Sequence, residues 1–342
     1  MTNHFLRSLG RQAALALVLV GGAMGGLVVA APAATVAAKP PFAVSGDLDV
    51  HDPSMGKDGA YYYVFCTGQE AGINHGAVQI RRSKDLKDWA WVGTIFDAPP
   101  AWIAKEIGEA PNVWAPDVSY RQGQYWVYYA VSHFGSRDSV IGLATNKTLD
   151  PNRKDYKWVD RGMVMRSHES DDWNAIDPNV FRDPSGGLWM VFGSYWSGIK
   201  MRALGADGML SPGDGTQYSL ASRGGKAVEA PGIVKHAGRY YLFVSFDRCC
   251  AGVNSTYRIM VGRADKVTGP YLDKSSAPLL NGGGTQLLAA KGREIGPGGQ
   301  FVFQDAAQDY LVYHFYDRDQ FGRNLLGIHL LWWDADGWPV VR

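Results

Sequence analysis

The stretch Tyr125-Trp126-Val127-Tyr128-Tyr129, with the turn Gln122-Gly123-Gln124 before it, decides the fold of this chain. Four other aromatic or apolar runs follow short turns marked by glycine or aspartate, at residues 61–65, 188–192, 240–244 and 310–314. Turns of this kind between β-rich runs are hairpin signals. The sequence therefore predicts a strand pattern that occurs five times.

The spacing of these runs indicates the architecture. They recur about every 50 to 70 residues, and each is followed by further strand-like segments and a polar loop. Repetition at a long period with several strands per unit is typical of a β-propeller. A β-sandwich does not require the repeated order, and the rungs of a β-helix are shorter. No long helical period follows the N-terminal segment, which disfavours an α/β fold. We predict an all-β, five-bladed β-propeller.

The N-terminal segment has the pattern of an export signal. Arg7 and Arg11 precede an apolar run at residues 13–31, and small residues follow it. A membrane anchor is the alternative, because the run is nearly long enough to span a bilayer. Glycines within the run and the alanine-rich exit favour cleavage near residue 33 or 38. We predict a signal peptide at 1–38 and a single propeller domain at 39–342, exported to the periplasm or secreted and free of the membrane after cleavage.

Charge and composition limit the classes of partner. Lys and Arg total 34 against 33 Asp and Glu, so the net charge of +1 predicts no nucleic-acid partner. The 12 Trp, 17 Tyr and 13 Phe provide flat faces on which sugars stack. A neutral carbohydrate therefore suits this composition better than a charged polymer.

The three cysteines are Cys66, Cys249 and Cys250, too few for a disulfide framework. Adjacent cysteines are awkward to bridge to each other, so the pairing we consider is Cys66 with one of the other two.

Three acids stand at matching places in turns before strands. They are Asp52 in His51-Asp52-Pro53, Asp177 in Ile176-Asp177-Pro178, and Glu229 in Val228-Glu229-Ala230-Pro231. The innermost strands of a propeller face a central channel, so carboxyls at their starts should meet there. Burial and mutual repulsion raise carboxyl pKa values, so that one group stays protonated while another is ionised. Cleavage of a glycosidic bond needs that division.

Two other acids have different interpretations. An Asp-Pro pair alone is commonly a turn, and we assign no chemistry to Asp183 in Asp183-Pro184-Ser185-Gly186. Asp117, in Trp114-Ala115-Pro116-Asp117-Val118, lies at the start of an inner strand, but the reaction does not require a fourth acid.

The motifs together resemble glycoside hydrolase family 43, and within it the endo-1,5-α-L-arabinanase subgroup. The resemblance runs from about residue 49 to the end of the chain. The further motifs that carry it are Gly193-Ser194-Tyr195-Trp196-Ser197-Gly198-Ile199, Cys249-Cys250, Ser255-Thr256-Tyr257, Gly269-Pro270-Tyr271 and Tyr313-His314.

The resemblance implies roles for the three acids. Asp52 would be the general base that activates water, and Glu229 the general acid that protonates the leaving oxygen. Asp177 would raise the pKa of Glu229 and orient it. The family inverts configuration, which predicts that the acid and base carboxyls lie about 6.5–9.5 Å apart. His51 is interpreted as a neighbour that supports the base.

The resemblance also implies ligand contacts. His314, inside the run that we take as the fifth inner strand, would be the one protein ligand of a calcium ion otherwise held by water. The segment Gly296-Pro297-Gly298-Gly299-Gln300 departs from many relatives, which have histidine and asparagine after the second glycine, so a sugar contact there is in doubt. The predicted sugar contacts are Trp114, Gly135, Asn174, Ala175, Ile176, Ser194, Tyr195 and Trp196.

The resemblance implies a monomeric, exported, inverting enzyme that cleaves internal α-1,5 bonds of arabinan or arabino-oligosaccharides. One alternative is an exo-acting α-L-arabinofuranosidase or β-xylosidase of the same family. The other is a propeller that binds sugar without cleaving it, which would have no need of the three acids.

Overall fold

The computed structural model describes residues 42–341, which form five β-sheets of four or five strands. The predicted all-β, five-bladed propeller is confirmed. The predicted signal peptide lies outside the described residues. Within residues 42–341 the one α-helix is α1 (Ala101–Ile107), and no helix there is long and apolar enough to cross a membrane.

Each blade is built from consecutive strands. Blade 1 has β1 (Ser45–Gly46), β2 (Ser54–Asp58), β3 (Tyr61–Cys66), β4 (Gln79–Ser83) and β5 (Asp88–Thr94). Blade 2 has β6 (Trp114–Arg121), β7 (Gln124–Val131), β8 (Ser139–Asn146) and β9 (Val159–Ser167). Blade 3 has β10 (Asn179–Arg182), β11 (Leu188–Phe192), β12 (Ile199–Leu204) and β13 (Tyr218–Ala221).

The last two blades follow the same order. Blade 4 has β14 (Val228–His236), β15 (Arg239–Phe246), β16 (Arg258–Ala264) and β17 (Thr285–Leu288). Blade 5 has β18 (Glu294–Gln304), β19 (Asp309–Asp317), β20 (Arg323–Trp333) and β21 (Pro339–Val341). Short 3₁₀ helices lie at Ile73–Gly76, Gly252–Asn254, Leu279–Asn281 and Arg318–Gln320.

Strand order within a blade follows the chain. The strands β2, β6, β10, β14 and β18 are innermost, since each contacts the corresponding strand of the next blade, and β18 contacts β2. Each innermost strand pairs antiparallel with the next strand along the chain, as Asp117 of β6 does with Tyr128 of β7. Blade 1 has an extra outer strand, because β1 pairs in parallel with β5.

The aromatic runs form the second strand of each blade, so our placement of the run containing His314 as innermost was wrong. The second strand lies inside the sheet and is covered on both faces by neighbouring blades. In blade 2 the residues of β7 after Gln124 are all buried. A strand buried on both faces has the most continuous apolar sequence, whereas the innermost strand borders the axis.

Five clusters of buried side chains fill the five junctions between blades. Tyr63 and Phe65 of blade 1 pack with Val127 and Tyr129 of blade 2. Burying one large apolar side chain contributes roughly 1.5–3 kcal/mol. Because blade 5 packs on blade 1 in the same way as the other pairs, the ring is closed.

Residues 42–49, which precede the first innermost strand, contact both blade 5 and blade 1. The amide of Phe42 donates to the carbonyl of Ile328 at 3.2 Å, and the amide of Leu326 donates to Leu48 at 3.0 Å. On the other side the amide of Asp47 donates to Trp89 of blade 1 at 2.8 Å. The segment therefore joins blade 5 to blade 1.

Candidate active site

One backbone conformation recurs at the start of all five innermost strands. In each, the residue before a proline has a left-handed φ, with values between 41° and 54°. Four of these residues carry side chains that disfavour that region, at a cost of roughly 1–3 kcal/mol each. Backbone strain that recurs around the axis, and that includes acidic residues, is typical of a functional site. The five residues are Asp52, Ala115, Asp177, Ala230 and Gly296.

These turns surround a small cavity of about 30 Å³ on the propeller axis. Asp52 and Asp177 line it, together with Ala230, the residue that follows Glu229. The structure thus brings together three turns that are far apart in the sequence. The other lining residues are Pro53, Ala115, Pro116, Asp117, Pro178, Asn179, Pro231, Gly299, Gln300 and Phe301.

Asp52 has the environment of a carboxylate that stays ionised. Its Oδ2 accepts hydrogen bonds from His51 Nδ1 at 2.7 Å and from Thr67 Oγ1 at 2.8 Å. Burial by itself would raise the pKa of Asp52, but the charge and hydrogen bond of His51, with smaller contributions from His314 and Thr67, lower that pKa well below its ordinary value. An ionised carboxylate can accept a proton from water.

The environment of Glu229 favours the protonated form of its carboxyl. Ser194 Oγ donates to its Oε2 at 2.6 Å, and Tyr257 Oη donates to its Oε1 at 2.7 Å. Burial raises the pKa of Glu229, and the negative charge of Asp52 adds to the rise, although the two hydroxyl donors partly oppose it. A protonated carboxyl can donate to a leaving oxygen.

Asp177 is close enough to both of the other acids for their charges to act on it. Its Oδ2 accepts the amide of Ala230 at 3.0 Å, so it holds the peptide that directly follows Glu229. Burial, with the charges of Glu229 and Asp52, raises the pKa of Asp177 well above its ordinary value. The site therefore combines one ionised carboxylate with two acids whose pKa values are raised, which suits acid and base catalysis.

Asp117 joins two blades. It is buried, and burial raises its pKa to about 7. Its carboxyl accepts from Asn179 Nδ2 at 2.7 Å and from the amide of Val180 at 3.0 Å, both in blade 3. We therefore assign Asp117 a structural role between blades 2 and 3.

Several predicted sugar contacts are engaged within the protein. Ser194 is buried against Glu229, as described. Asn174 is buried, accepts from Ser139 Oγ at 2.6 Å and donates to the carbonyl of Ser136 at 3.2 Å. Ala175 and Ile176 pack in the cluster between blades 2 and 3. These four residues are buried and make contacts within the protein, and their contact with a sugar stays a prediction.

The remaining predicted contacts lie nearer the surface. Trp114 is half-buried, and its Nε1 donates to Asn112 Oδ1 at 2.7 Å. Tyr195 and Trp196 both have left-handed φ angles, 52° and 38°, and Tyr195 is exposed while Trp196 is half-buried. Gly135 is exposed with a φ of 84°, so a glycine is favoured there by backbone conformation alone.

Sequence reasoning did not assign a role to the hydroxyls that hold the two acids. Thr67 binds Asp52, and Tyr257 binds Glu229. Tyr257 belongs to a motif quoted for the resemblance, which was the available signal. Thr67 follows the second strand of blade 1 and has no motif of its own.

His314 lies in β19, buried beneath Asp52. Its Nδ1 accepts the backbone amide of Asp52 at 3.0 Å, and burial lowers its pKa well below the ordinary value, so the ring is neutral. The single proton of a neutral imidazole is then on Nε2, because Nδ1 uses its lone pair. Nε2 is buried and has no hydrogen-bond partner among residues 42–341. This nitrogen fits an oxygen acceptor such as water, and it fits a calcium ion only through such a water.

The glycine-rich segment of blade 5 supports the acids. A Cβ on Gly299 would lie 2.6 Å from Asp52 Oδ1 and 2.7 Å from His314 Nδ1, closer than a side chain permits. Gln300 donates to the carbonyl of Ala230 at 2.6 Å and accepts from Ser245 Oγ at 2.7 Å. This segment therefore has a structural use in holding the site.

The cysteine pairing differs from the one we considered. Cys249 is disulfide-bonded to Cys250, and Cys66 is free and buried. Cys66 does not form the link that we considered, because it lies in the cluster between blades 1 and 5, where it contacts Arg81 Nη1 at 3.2 Å. The bonded pair lies in the loop after β15, beside His51.

The five blades and the cavity of unlike acids define a glycoside hydrolase. Residues 45–339 match the model of glycosyl hydrolases family 43, and the chain belongs to this family. Among curated proteins, the extracellular endo-α-(1→5)-L-arabinanase 1 of Bacillus subtilis is 43% identical over 295 residues, 85% of this chain and 87% of that protein. The extracellular exo-α-(1→5)-L-arabinofuranosidase ArbA of Cellvibrio japonicus is 38% identical over 309 residues, 86% of each chain.

Among solved structures, the α-L-arabinanase of Cellvibrio cellulosa complexed with arabinohexaose superposes with a TM-score of 0.81 at 38% identity. The match covers 86% of this chain and 96% of that one.

Proposed function

We propose that this protein is an inverting endo-1,5-α-L-arabinanase that cleaves internal bonds of arabinan. The observation that carries the proposal is the pairing of an ionised Asp52, which lines the axial cavity, with Glu229, the residue before the cavity-lining Ala230, whose pKa is raised by burial and by the charge of Asp52. The names of the relatives, and the arabinohexaose bound to one of them, support arabinan as the substrate. Higher identity to the Bacillus subtilis endo-acting enzyme than to the Cellvibrio japonicus exo-acting one favours internal cleavage.

In this mechanism Asp52 removes a proton from a water molecule that attacks the anomeric carbon. Glu229 protonates the glycosidic oxygen as the bond breaks. The hydroxyls of Ser194 and Tyr257 each occupy one oxygen of Glu229 and so fix the direction of its carboxyl. Asp177 holds the Glu229–Ala230 peptide, and its negative charge, when present, raises the pKa of the acid.

We also propose that the chain is exported and acts as a monomer outside the cytoplasm. The charged and apolar order of residues 1–38 supports export. The two curated relatives described above are both named as extracellular.

Incubation with linear, debranched arabinan and with xylan, followed by separation of products by size, tests the function. We expect a ladder of arabino-oligosaccharides from arabinan and no products from xylan. Release of arabinose alone would indicate an exo-acting enzyme, and products from xylan would indicate a xylosidase. Arabinan that is bound but not cleaved would indicate a sugar-binding propeller.

Calcium is a further proposal. The buried Nε2–H of His314 would donate to a water in the shell of the ion, and the ion would supply positive charge beneath the acids. Calcium held mainly by water binds weakly, with a Kd of about 10⁻⁴–10⁻³ M. Calorimetric titration of EDTA-treated protein is expected to give one site in this range, weakened in His314→Ala. Equal affinity in that variant would exclude His314 from the site.

A further inference from the structure

A chain of contacts leads from the Cys249–Cys250 disulfide to Asp52. The amide of Cys250 donates to Tyr316 Oη at 2.8 Å, and that oxygen lies 2.9 Å from His51 Nε2. His51 Nδ1 lies 2.7 Å from Asp52 Oδ2.

The chemistry of the groups fixes the direction of each hydrogen bond. An ionised carboxylate only accepts, so the proton on His51 Nδ1 must be donated to Asp52. Because His51 is positively charged beside Asp52, Nε2 also bears a proton and donates a hydrogen bond to the oxygen of Tyr316. The oxygen of Tyr316 in turn accepts the amide of Cys250. Every link in the chain therefore orients the next one.

The disulfide surrounds the outer end of this chain. Cys249 Sγ lies 3.3 Å from Tyr316 Oη and 3.7 Å from His51 Nε2, and Cys250 Sγ lies 3.9 Å from the same nitrogen. A bond between adjacent side chains restrains the peptide that joins them, and this peptide carries the amide that Tyr316 accepts. Tyr316 is buried, so its hydroxyl has few alternative directions.

We propose that Cys249, Cys250 and Tyr316 are positioning residues for Asp52 and act on it through His51. The inference rests on the proposed function, since it takes Asp52 to be the base. Breaking the disulfide frees the Cys250 amide, so that Tyr316 and His51 lose their fixed directions and the Asp52 carboxylate rotates more freely. Attack by water suffers more than substrate binding, because the orientation of the base matters in the reaction step.

Reduction of the wild-type protein is the first test. Dithiothreitol supplies two electrons and two protons, which convert the disulfide to two thiols while the reagent itself becomes a cyclic disulfide. Cys250 is exposed and open to the reagent. Thiols counted after denaturation should rise from one, Cys66, to three. We expect kcat on linear arabinan to fall about 3- to 10-fold with KM within about 2-fold.

Tyr316→Phe separates positioning from general stability. It removes the hydroxyl and keeps the buried ring, and it should lower kcat by a similar factor. Reduction of this variant should lower its kcat by a further factor of less than about 2, because both changes act through the same series of hydrogen bonds. The double variant Cys249→Ala/Cys250→Ala should behave like the reduced protein and not respond to dithiothreitol.

Three outcomes would overturn the inference. They are complete reduction with unchanged kcat, independent and multiplying effects of Tyr316→Phe and reduction, and a fall in activity that tracks loss of folded protein by circular dichroism. An oxidised wild-type protein that does not cleave arabinan would instead reject the proposed function.

Discussion

Glu229→Gln is expected to lower kcat on linear arabinan by about 10²–10⁴-fold, the usual contribution of a general acid. Glutamine has the size of glutamate and can keep the contacts with Ser194 and Tyr257, but it has no acidic proton to give. KM and binding of arabinan should change little. Reducing-sugar assays give kcat, and affinity electrophoresis in arabinan gels gives binding.

A substrate with a better leaving group sharpens this test. An arabino-oligosaccharide with an activated phenol as leaving group needs no proton, so Glu229→Gln should keep most of its activity on it. Glu294→Gln is a matched control, because Glu294 is also half-buried, accepts Tyr313 Oη at 3.0 Å and has a pKa raised by burial, yet the charged groups that act on it are Arg293, Asp317 and Lys291 and not Asp52. Near wild-type kcat of Glu229→Gln on arabinan would remove Glu229 from the role of acid.

Asp52→Asn is expected to lower kcat by a similar factor of about 10²–10⁴ on arabinan and on the activated substrate alike. The reason is that both reactions need a water molecule deprotonated by the base. An asparagine oxygen can still accept from His51 and Thr67, so the fold should be retained. Stopped assays on both substrates, with thermal unfolding as a check on stability, make the measurement.

Asp183→Asn is the control for this variant. Asp183 also precedes a proline, but its carboxyl accepts the amide of Ser185 at 3.0 Å and Tyr240 Oη at 2.7 Å in the turn after β10, outside the residues that line the axial cavity. We expect activity close to that of the wild type. Recovery of Asp52→Asn on the activated substrate would show that Asp52 does not act on water.

The fold was predictable because its main signal is periodic. Five turns and five apolar runs, spread over the chain, need only regular spacing to be detected. The position of these runs within a blade was not predictable in the same way. A strand such as β7, covered by two neighbouring blades, is more apolar than one beside a polar axis, so the conspicuous runs are second strands.

The acids of the site were predictable because three carboxyls recur at matching places, one or two residues before a proline, in turns that precede strands. The groups that set the pKa values of these acids and the orientation of their carboxyls were not predictable from the sequence. Thr67, Ser194 and Tyr257 act through single hydroxyls, and a hydroxyl in a sequence looks the same whether it binds water or an acid. Their partners come from other turns or blades and are known only when the ring is assembled.

The cysteine pairing could not be chosen from the sequence for a related reason. Spacing suggests which pairs are easy to join, but the choice depends on where each thiol lies. Cys66 is enclosed by the core, while the neighbouring cysteines share an open loop and have each other as partners.

The contact of residues 42–49 with both blades 1 and 5 has a consequence for heat inactivation. The disulfide joins adjacent residues, so within residues 42–341 no disulfide cross-links blade 1 to blade 5 at the seam where these two blades meet. The amide of Asp52 reaches His314 across this same seam. Transient parting of the seam, well short of global unfolding, would already displace the base. Catalysis should thus be lost at a lower temperature than secondary structure. Strengthening the contact between blades 1 and 5 should reduce the difference between these two temperatures.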